Sequence, residues 1–345
     1  MQSEKYKQAG VNIDNAQLAL KNASPFIKNT FNDAVILQSG SYGSLYDLKD
    51  IMENYQHPVL VQSVDGIGTK LVIARMANRF ESVGFDIVNH CCNDILCMGA
   101  RAINFLDYIA VEHLEPRIVT DIIKGIATAC MKQNIALVGG ETAEMPGVYI
   151  KNEFDIAGMI TGVVEKDKII NGQSIIPGDL IIGLKSDGLH TNGYSLARKV
   201  LFENLQLNID SYIDELQSTL QDALLKVHKD YSQTLLSLLD EFEIKGLVHI
   251  TGGGLIDNIP RILPKNCNAK INKNSWELPA IFKLIQEGAS IDDAEMARTF
   301  NIGIGMVIIV GKDTLDPFIE RLRTKNEVPI VIGEIVEGDK KTVLL

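Results

Sequence analysis

Residues 64–70, with the sequence Val-Asp-Gly-Ile-Gly-Thr-Lys, constrain the fold more than any other part of the chain. An apolar run precedes them and a helical pattern follows, which predicts a strand, a tight turn and a helix. Gly66 and Gly68 can take a positive φ, and the helix start offers N–H groups to phosphate. Asp65 is a candidate ligand of Mg²⁺ and Lys70 a partner of phosphate. Because the spacing is neither GxxxxGK[ST] nor GxGxxG, an ordinary structural turn is an equal alternative.

Length and charge restrict the classes of protein to consider. A chain of 345 residues predicts two domains, and a net charge of −11 argues against a general binder of nucleic acid or of anionic membranes. Residues 1–10 lack the pattern of a signal peptide, and no run of about 20 apolar residues occurs. The five cysteines have no zinc-binding spacing. We therefore expect a cytoplasmic protein with reduced core thiols.

Strand and helix patterns alternate from Pro58 onward without strict βαβ regularity, which favours the α+β class. The pattern breaks near 167–176, so we expect an N-terminal domain at 1–170 and a C-terminal domain at 171–345. Residues 1–57 look polar and irregular. The main expected elements are strands at 58–64, 101–111, 135–139, 154–164, 180–184, 246–250, 269–272, 303–311 and 328–336, and helices at 70–80, 85–98, 117–133, 193–204, 219–242, 277–287 and 314–325.

The expected helix at 85–98 places three titratable side chains on one face, because Asp86, His90 and Asp94 follow one another at i, i+4 and i+8. Such a stripe suits a metal ion. For Asp86 and His90 we favour a solvated helix face instead. Asp94 has apolar neighbours, so we expect a partly buried carboxylate that needs a cation or a donor.

Two further acids interrupt apolar segments. Asp107 lies inside an expected strand, where a charge is either paired or part of a site. Glu141 follows the Gly139-Gly140 turn at a strand end, which favours a role as metal ligand or base over an exposed loop carboxylate.

The C-terminal half repeats the theme of glycine turns between a strand and a helix. Thr191, Asn192 and Ser195 are residue types that cap helices and bind anions. His190 can move a proton near neutral pH, and its alternative is the structural role that a single loop histidine more often has. The glycines at 252–254 expose backbone N–H groups. The candidate phosphate contacts Arg261 and Arg298 have surface arginines as their alternative. No GxSxG or HExxH motif occurs, so the pattern fits phosphate chemistry done by positioning and charge.

Taken together and in order, these segments resemble the phosphoribosylformylglycinamidine cyclo-ligase family, also called aminoimidazole ribonucleotide synthetase. The resemblance runs from about Tyr6 to about Gly333. The segments at 139–147 and 190–195 are specific to this family, whereas those at 65–70 and 251–254 occur more widely in its superfamily. The matching segments are 6–11, 64–70, 92–95, 138–147, 186–195, 249–254, 258–261 and 298–306.

The resemblance implies an enzyme of de novo purine biosynthesis that uses ATP and Mg²⁺. It would close the ring of formylglycinamidine ribonucleotide to give aminoimidazole ribonucleotide, ADP and phosphate. The implied fold has an N-terminal α/β sandwich domain that dimerises through its sheet and binds ATP, and a C-terminal α+β domain that completes the substrate cleft. The implied partners are the substrate and a second copy, with no nucleic acid and no membrane.

The resemblance also implies roles for single residues. The catalytic set is His190, Lys70 and Glu141, and the metal ligands are Asp65, Asp94 and Glu141. The set that binds ATP is Asp65, Gly66, Gly68, Thr69, Lys70, Asp94, Asp107, Gly139 and Gly140. The set that binds the substrate is Thr191, Asn192, Gly193, Ser195, Gly252, Gly253, Arg261 and Arg298.

Several alternatives share this architecture. Selenophosphate synthetase usually carries a reactive cysteine near its start, and no cysteine precedes Cys91 here. Thiamine-phosphate kinase, formylglycinamidine ribonucleotide synthetase and an inactive nucleotide-binding module are the others. The chain departs from the family at 38–44, where the glycine content is lower, so closure of this segment over ATP is open.

Overall fold

The computed structural model describes residues 4–36 and 42–345. The chain forms two compact units, one of Met1–Ile95 with Ala100–Asp167 and one of Leu96–Gly99 with Lys168–Leu345. Both units combine helices with a sheet that contains antiparallel pairs. The prediction of a two-domain α+β chain is therefore confirmed. Residues 38–41 of the segment expected to close over ATP lie outside the described residues.

The first unit contains one four-stranded sheet, whose spatial order is β1-β4-β2-β3. β4 pairs antiparallel with β1 and β2, and β3 pairs parallel with β2. The strands are β1 (Pro58–Gly66), β2 (Arg101–Val111), β3 (Ala136–Glu144) and β4 (Phe154–Glu165). The helices are α1 (Glu4–Gln8), α2 (Ile13–Lys28), α3 (Lys49–Asn54), α4 (Lys70–Met76), α5 (Glu81–Leu96) and α6 (Pro116–Gln133).

The two faces of this sheet differ in burial. Phe105 and Ile109 of β2 are buried on one face, where Gly158 of β4 approaches Ile87 of α5. Side chains of a strand alternate between faces, so Tyr108 of β2 lies on the opposite face. On that face the apolar side chains of Leu60, Val64 and Tyr108 are exposed. The sheet is therefore covered by helices on one side only, within the described residues.

The second unit contains a six-stranded sheet of order β12-β9-β11-β5-β10-β8 and a small hairpin of β6 and β7. The strands are β5 (Leu180–Lys185), β6 (Tyr212–Ile213), β7 (Ser218–Thr219), β8 (Gly246–His249), β9 (Cys267–Ile271), β10 (Ile304–Val310), β11 (Pro329–Glu337) and β12 (Thr342–Leu344). The helices are α7 (Tyr194–Arg198), α8 (Leu220–Leu224), α9 (Ser232–Leu236), α10 (Gly254–Asn258), α11 (Ala280–Ala289), α12 (Asp293–Thr299) and α13 (Leu315–Thr324).

The core of the second unit lies where helices pack against the buried side chains of β5 and β10. Leu184 and Ile308 belong to one apolar cluster with Phe318 and Leu322 of α13. Each of these side chains is fully buried. Burial of a Leu, Ile or Phe side chain contributes about 1.5–3 kcal/mol, so this cluster holds the sheet and helix together.

Two predictions of secondary structure are wrong. The long helix expected at 219–242 is two short helices, α8 and α9, joined by the segment 225–231, in which the side chains of His228 and Tyr231 are buried. The described part of residues 1–57 is not irregular, since α2 forms a 16-residue helix there. Its Asn12 cap accepts a hydrogen bond from the Asn15 N–H. Within the described residues, every helix is too short or too polar to cross a bilayer.

Candidate functional site

One row of residues crosses the sheet of the first unit and contains two of the predicted site carboxylates. The pairing places Asp65 of β1 opposite Gly158 of β4, Gly158 opposite Asp107 of β2, and Asp107 opposite Gly140 of β3. Directly opposed residues share a face of the sheet. Asp65 and Asp107 therefore point to the same side, which is the side that the helices cover.

Asp65, His90 and Asp94 come together around one ring nitrogen. His90 Nε2 lies 2.6 Å from Asp65 Oδ2 and 3.7 Å from Asp94 Oδ2. The Ser63 hydroxyl donates to Asp94 Oδ2 at 3.3 Å, and the Gly66 N–H donates to Asp65 Oδ1 at 2.8 Å. The side chain of His90 is buried, whereas those of the two acids are 39% and 26% exposed. The two acidic side chains are thus the part of this cluster that a ligand can reach.

The charges of this cluster support one another. Burial lowers the pKa of His90, but the hydrogen bond to Asp65 and the neighbouring carboxylates outweigh it and raise that pKa above its usual value. Burial likewise raises the pKa of Asp65, and the contact with His90 outweighs it and lowers that pKa. The two shifts have the same cause, because the contact between His90 and Asp65 favours the charged form of both groups.

Lys70 and Asp86 form a second, fully buried pair in the same unit. Lys70 Nζ lies 2.6 Å from Asp86 Oδ2, and neither side chain has any exposed surface. The expectation of a solvated helix face for Asp86 and His90 is wrong, because both side chains point into the unit and meet partners there. In this conformation the ammonium of Lys70 is occupied by Asp86, and its contact with phosphate stays a prediction.

The other residues of the first turn lie at its surface. Gly68 and Thr69 are exposed, and Thr69 is the residue that precedes α4. Gly68 has a φ of 65°, in the left-handed region that favours glycine. Their contacts with ATP stay predictions.

Asp107 is a buried acid with a shifted pKa. Burial raises the pKa of its carboxyl from 3.8 to about 7, and the negative charge of Glu141 adds to the shift. Glu141 is exposed on β3, beside Gly139 and Gly140 at the edge of the sheet. It pairs with Tyr108 of β2.

Glu141 lies apart from the other two predicted metal ligands. β4 and β2 lie between β1 and β3, so the backbone of Asp65 in β1 is about 14 Å from that of β3, the strand of Glu141. The structure thus brings Asp65 and Asp94 together, whereas Glu141, opposite Tyr108, lies on the other face of the sheet from Asp107.

In the second unit, three loops lie close together at the same end of three neighbouring strands. β10 is antiparallel to both β5 and β8, so the ends of β5 and β8 and the start of β10 lie together. The loops are 186–193, 250–254 and 300–303. They contain or adjoin most of the residues predicted to bind the substrate, namely Thr191, Asn192, Gly193, Ser195, Gly252 and Gly253.

Close contacts fix the shape of these loops. A Cβ added to Gly193, whose φ is 79°, would lie 2.2 Å from the Phe300 ring. A Cβ added to Gly252 would lie 3.3 Å from Asn192 Oδ1, so two of the loops touch. Asn301 ties in the third loop, because it accepts from the Ser186 hydroxyl at 2.8 Å and donates to the Gly188 carbonyl at 3.0 Å. The sequence makes Asn301, like Arg298 in the same matching segment, a candidate for a position in a cleft.

His190 belongs to the loop 186–193, and its side chain has no exposed surface. Its backbone is left-handed, with a φ of 60°. Its Nε2 accepts from the backbone N–H groups of Asp187 at 3.2 Å and Lys229 at 3.4 Å. Contact between His190 and a substrate therefore requires that a covering segment moves, and its catalytic role stays a prediction.

The two predicted arginines lie at the surface. Arg298 donates from Nε to Asp257 at 3.0 Å and is 71% exposed. Arg261 is exposed in a 3₁₀ turn, Ile259–Arg261, after α10. Arg298 is thus an exposed residue paired with a carboxylate, which agrees with the alternative that it is a surface arginine.

Each part of the chain matches the model of a known domain family. Residues 49–164 match the model described as AIR synthase related protein, N-terminal domain. Residues 177–345 match the model described as AIR synthase related protein, C-terminal domain.

Solved structures share the fold at low sequence identity. Thiamine-monophosphate kinase from Stenotrophomonas maltophilia K279a aligns with a TM-score of 0.69 and 17% identity, over 94% of this chain and 95% of that chain. The hydrogenase maturation protein HypE in complex with ATP aligns with a TM-score of 0.67 and 15% identity, over 95% and 90%.

Curated relatives are far closer in sequence. The phosphoribosylformylglycinamidine cyclo-ligase of Alkaliphilus oremlandii is 45% identical over 98% of this chain and 99% of its own. That of Thermoanaerobacter pseudethanolicus is 48% identical, with the same two coverages. The chain therefore belongs to the phosphoribosylformylglycinamidine cyclo-ligase family.

Proposed function

We propose that this chain catalyses the ATP-dependent closure of formylglycinamidine ribonucleotide to aminoimidazole ribonucleotide, with release of ADP and phosphate. The observation that carries the proposal is identity of 45% and 48% with two cyclo-ligases over nearly their whole length. The fold is also that of a structure solved with ATP.

The reaction needs positioning and charge rather than a covalent nucleophile. ATP transfers its terminal phosphoryl group to the formyl amide oxygen, which turns that oxygen into a leaving group. The amidine nitrogen then attacks the same carbon and loses a proton, and phosphate departs. Exposed glycine turns and carboxylates suit such a transfer, because they hold phosphates and their counter-ion without entering the chemistry.

Asp65 and Asp94 fit the requirements of Mg²⁺. Each has a partly exposed side chain with one carboxylate oxygen near His90 Nε2, and the Ser63 hydroxyl lies beside Asp94. Mg²⁺ in phosphoryl-transfer sites takes one or two carboxylates and completes its shell with phosphate oxygens and waters. When bound, the ion neutralises charge on the phosphates. Asp65 and Asp94 would hold it, and the buried His90 would orient the Asp65 carboxylate.

The loops 186–193 and 250–254 of the second unit supply the polar groups that a ribonucleotide needs. Thr191, Asn192 and Ser195 carry hydroxyl and amide groups, and Gly252 and Gly253 leave backbone N–H groups accessible to a phosphate. Asn192 Oδ1 lies next to Gly252, so these groups are close together. We therefore assign the ribonucleotide to this unit and ATP to the first.

The open face of the four-stranded sheet supports a homodimer. Leu60 and Val64 are 59% and 68% exposed there, and Tyr108 is 37% exposed. An apolar sheet face of this kind is a site for association, and a second copy offers the same face. We assign the enzyme to the cytoplasm, in line with its free cysteines.

Nucleotide turnover tests the proposal. Purified protein with ATP and Mg²⁺ is expected to release ADP only when formylglycinamidine ribonucleotide is added, with aminoimidazole ribonucleotide formed in equal amount. ADP release with thiamine monophosphate instead would favour a kinase. ATP binding without turnover on either substrate would favour an inactive nucleotide-binding module.

A further inference from the structure

Three buried histidines of the second unit form one cluster. The rings of His190 and His228 stack with centroids 4.0 Å apart and planes 22° from parallel. His228 Nε2 lies 2.8 Å from His249 Nε2, which is a hydrogen bond between the two rings. The exposed fractions are 0% for His190 and His228 and 5% for His249. The three imidazole rings thus pack together in the buried interior of this unit.

The cluster joins the two loops that we assign to the ribonucleotide. His190 precedes Thr191 directly, and His249 ends β8 immediately before the loop 250–254. His228 touches both sides, because its Nδ1 also lies 3.4 Å from Thr191 Oγ1. The next residue, Lys229, donates its backbone N–H to His190 Nε2. The segment 225–231 between α8 and α9 therefore contacts the loop 186–193 through His190 and Thr191. It also contacts His249, the residue that precedes the loop 250–254.

A shared metal ion does not fit this arrangement. The ring nitrogens of the three histidines lie within 4.8 Å of one another. However, His190 and His228 lie face to face, so their lone pairs, which are in the ring planes, do not converge on a common point. Imidazole ligands of one metal ion need such convergence. The contacts describe a packing and hydrogen-bonding device instead.

We propose that His228 is a positioning residue, which holds the loops 186–193 and 250–254 in the relative arrangement that the ribonucleotide requires. Its ring supplies a flat surface for His190 and hydrogen-bonding atoms for Thr191 and His249. The link to substrate rests on the proposed function, whereas the link between the loops stands on the contacts alone. His228 itself touches no reacting atom in this assignment.

Hydrogen exchange measured by mass spectrometry tests the link between the loops without any activity assay. In His228→Phe the flat ring remains but the bonds to Thr191 and His249 are lost. In His228→Gln an amide can still reach His249, but the stack is lost. We expect faster exchange in both loops in each variant, with β5 and β10 unchanged. Faster exchange confined to 226–231, or no change in either variant, would overturn the proposal.

Kinetics test the link to substrate. We expect both variants to raise KM for formylglycinamidine ribonucleotide about tenfold, as for the loss of one or two buried hydrogen bonds, and to leave KM for ATP within about twofold. The matched control is His57→Gln, an exposed histidine of the first unit. Equal changes in both KM values would overturn a positioning role for the ribonucleotide loops. If wild-type protein closes no ring, the proposed function fails, and hydrogen exchange still decides the role of His228.

Discussion

Lys70 Nζ lies 2.6 Å from Asp86 Oδ2, and both side chains are completely buried. The first residue of α4 is thereby fixed to the first half of α5, just after the turn at 64–70. A buried ion pair pays a large desolvation cost, which its mutual attraction offsets only while both partners are present. The pair therefore sets where the turn lies, whatever else Lys70 contacts during turnover.

Removal of one partner should destabilise the protein strongly. We expect Lys70→Met to lower the free energy of unfolding by about 3–5 kcal/mol, because it leaves the Asp86 carboxylate buried and unpaired. The double variant Lys70→Met, Asp86→Leu should regain most of that loss in urea unfolding. Full ADP release by the double variant would restrict Lys70 to a structural role.

The two carboxylates near His90 should govern the use of Mg²⁺. Asp65→Asn and Asp94→Asn keep the shape of the side chain and remove its charge, so we expect a higher Mg²⁺ concentration for half-maximal turnover. Asp50→Asn is the control, since Asp50 is an exposed acid of α3 in the same unit. Titration of turnover against Mg²⁺ measures the effect. Identical titrations for the wild type and both variants would remove these residues from the metal site.

The buried acid Asp107 should make stability depend on pH. Its pKa is raised to about 7, so between its ordinary value of 3.8 and 7 the folded state binds more protons than the unfolded state. Stability therefore falls as pH rises through this window, by roughly 4 kcal/mol. Asp107→Asn lacks this group, and its advantage over the wild type should grow from pH 4 to pH 7. Parallel stability curves for the two proteins would contradict the raised pKa.

Gly193 should tolerate no side chain. A methyl group there would overlap the Phe300 ring, so we expect Gly193→Ala to cost about 1–3 kcal/mol in stability and to raise KM for the ribonucleotide. Gly147→Ala is the control, because Gly147 also has a positive φ, of 85°, but has open space around it. The comparison separates the effect of overlap from that of backbone conformation. Equal losses in the two variants would show that Phe300 is not the cause.

The open face of the first sheet should mediate dimerisation. We expect Val64→Glu to shift the protein from dimer to monomer in analytical ultracentrifugation, because a charge at the centre of an apolar interface is costly to bury. Val328→Glu is the control, since Val328 is a similarly exposed valine of the second unit, at 58%. A wild-type protein that sediments as a monomer, or a Val64→Glu dimer of unchanged affinity, would contradict the assignment.

The sequence alone determined the family, the α+β class and most of the regular elements. The strand at 101–111 was predicted with the bounds that the structure shows, because its apolar run is long and ends in polar residues. The glycine turns at 66–68, 191–193 and 252–254 were visible for the same local reason. Periodicity and turn chemistry depend on neighbours in the chain, so one sequence contains them.

The tertiary structure decided which polar side chains meet. Asp86 and His90 looked like a solvated stripe, since their burial depends on partners that helix periodicity does not encode, Lys70 and Asp65. His228 was hidden inside an expected helix, and its contacts with His190 and His249 come from residues about 20 to 40 positions away. Burial and electrostatic pairing arise from contacts distant in sequence, and for that reason only the folded chain shows the separation of Glu141 from Asp65 and the histidine cluster.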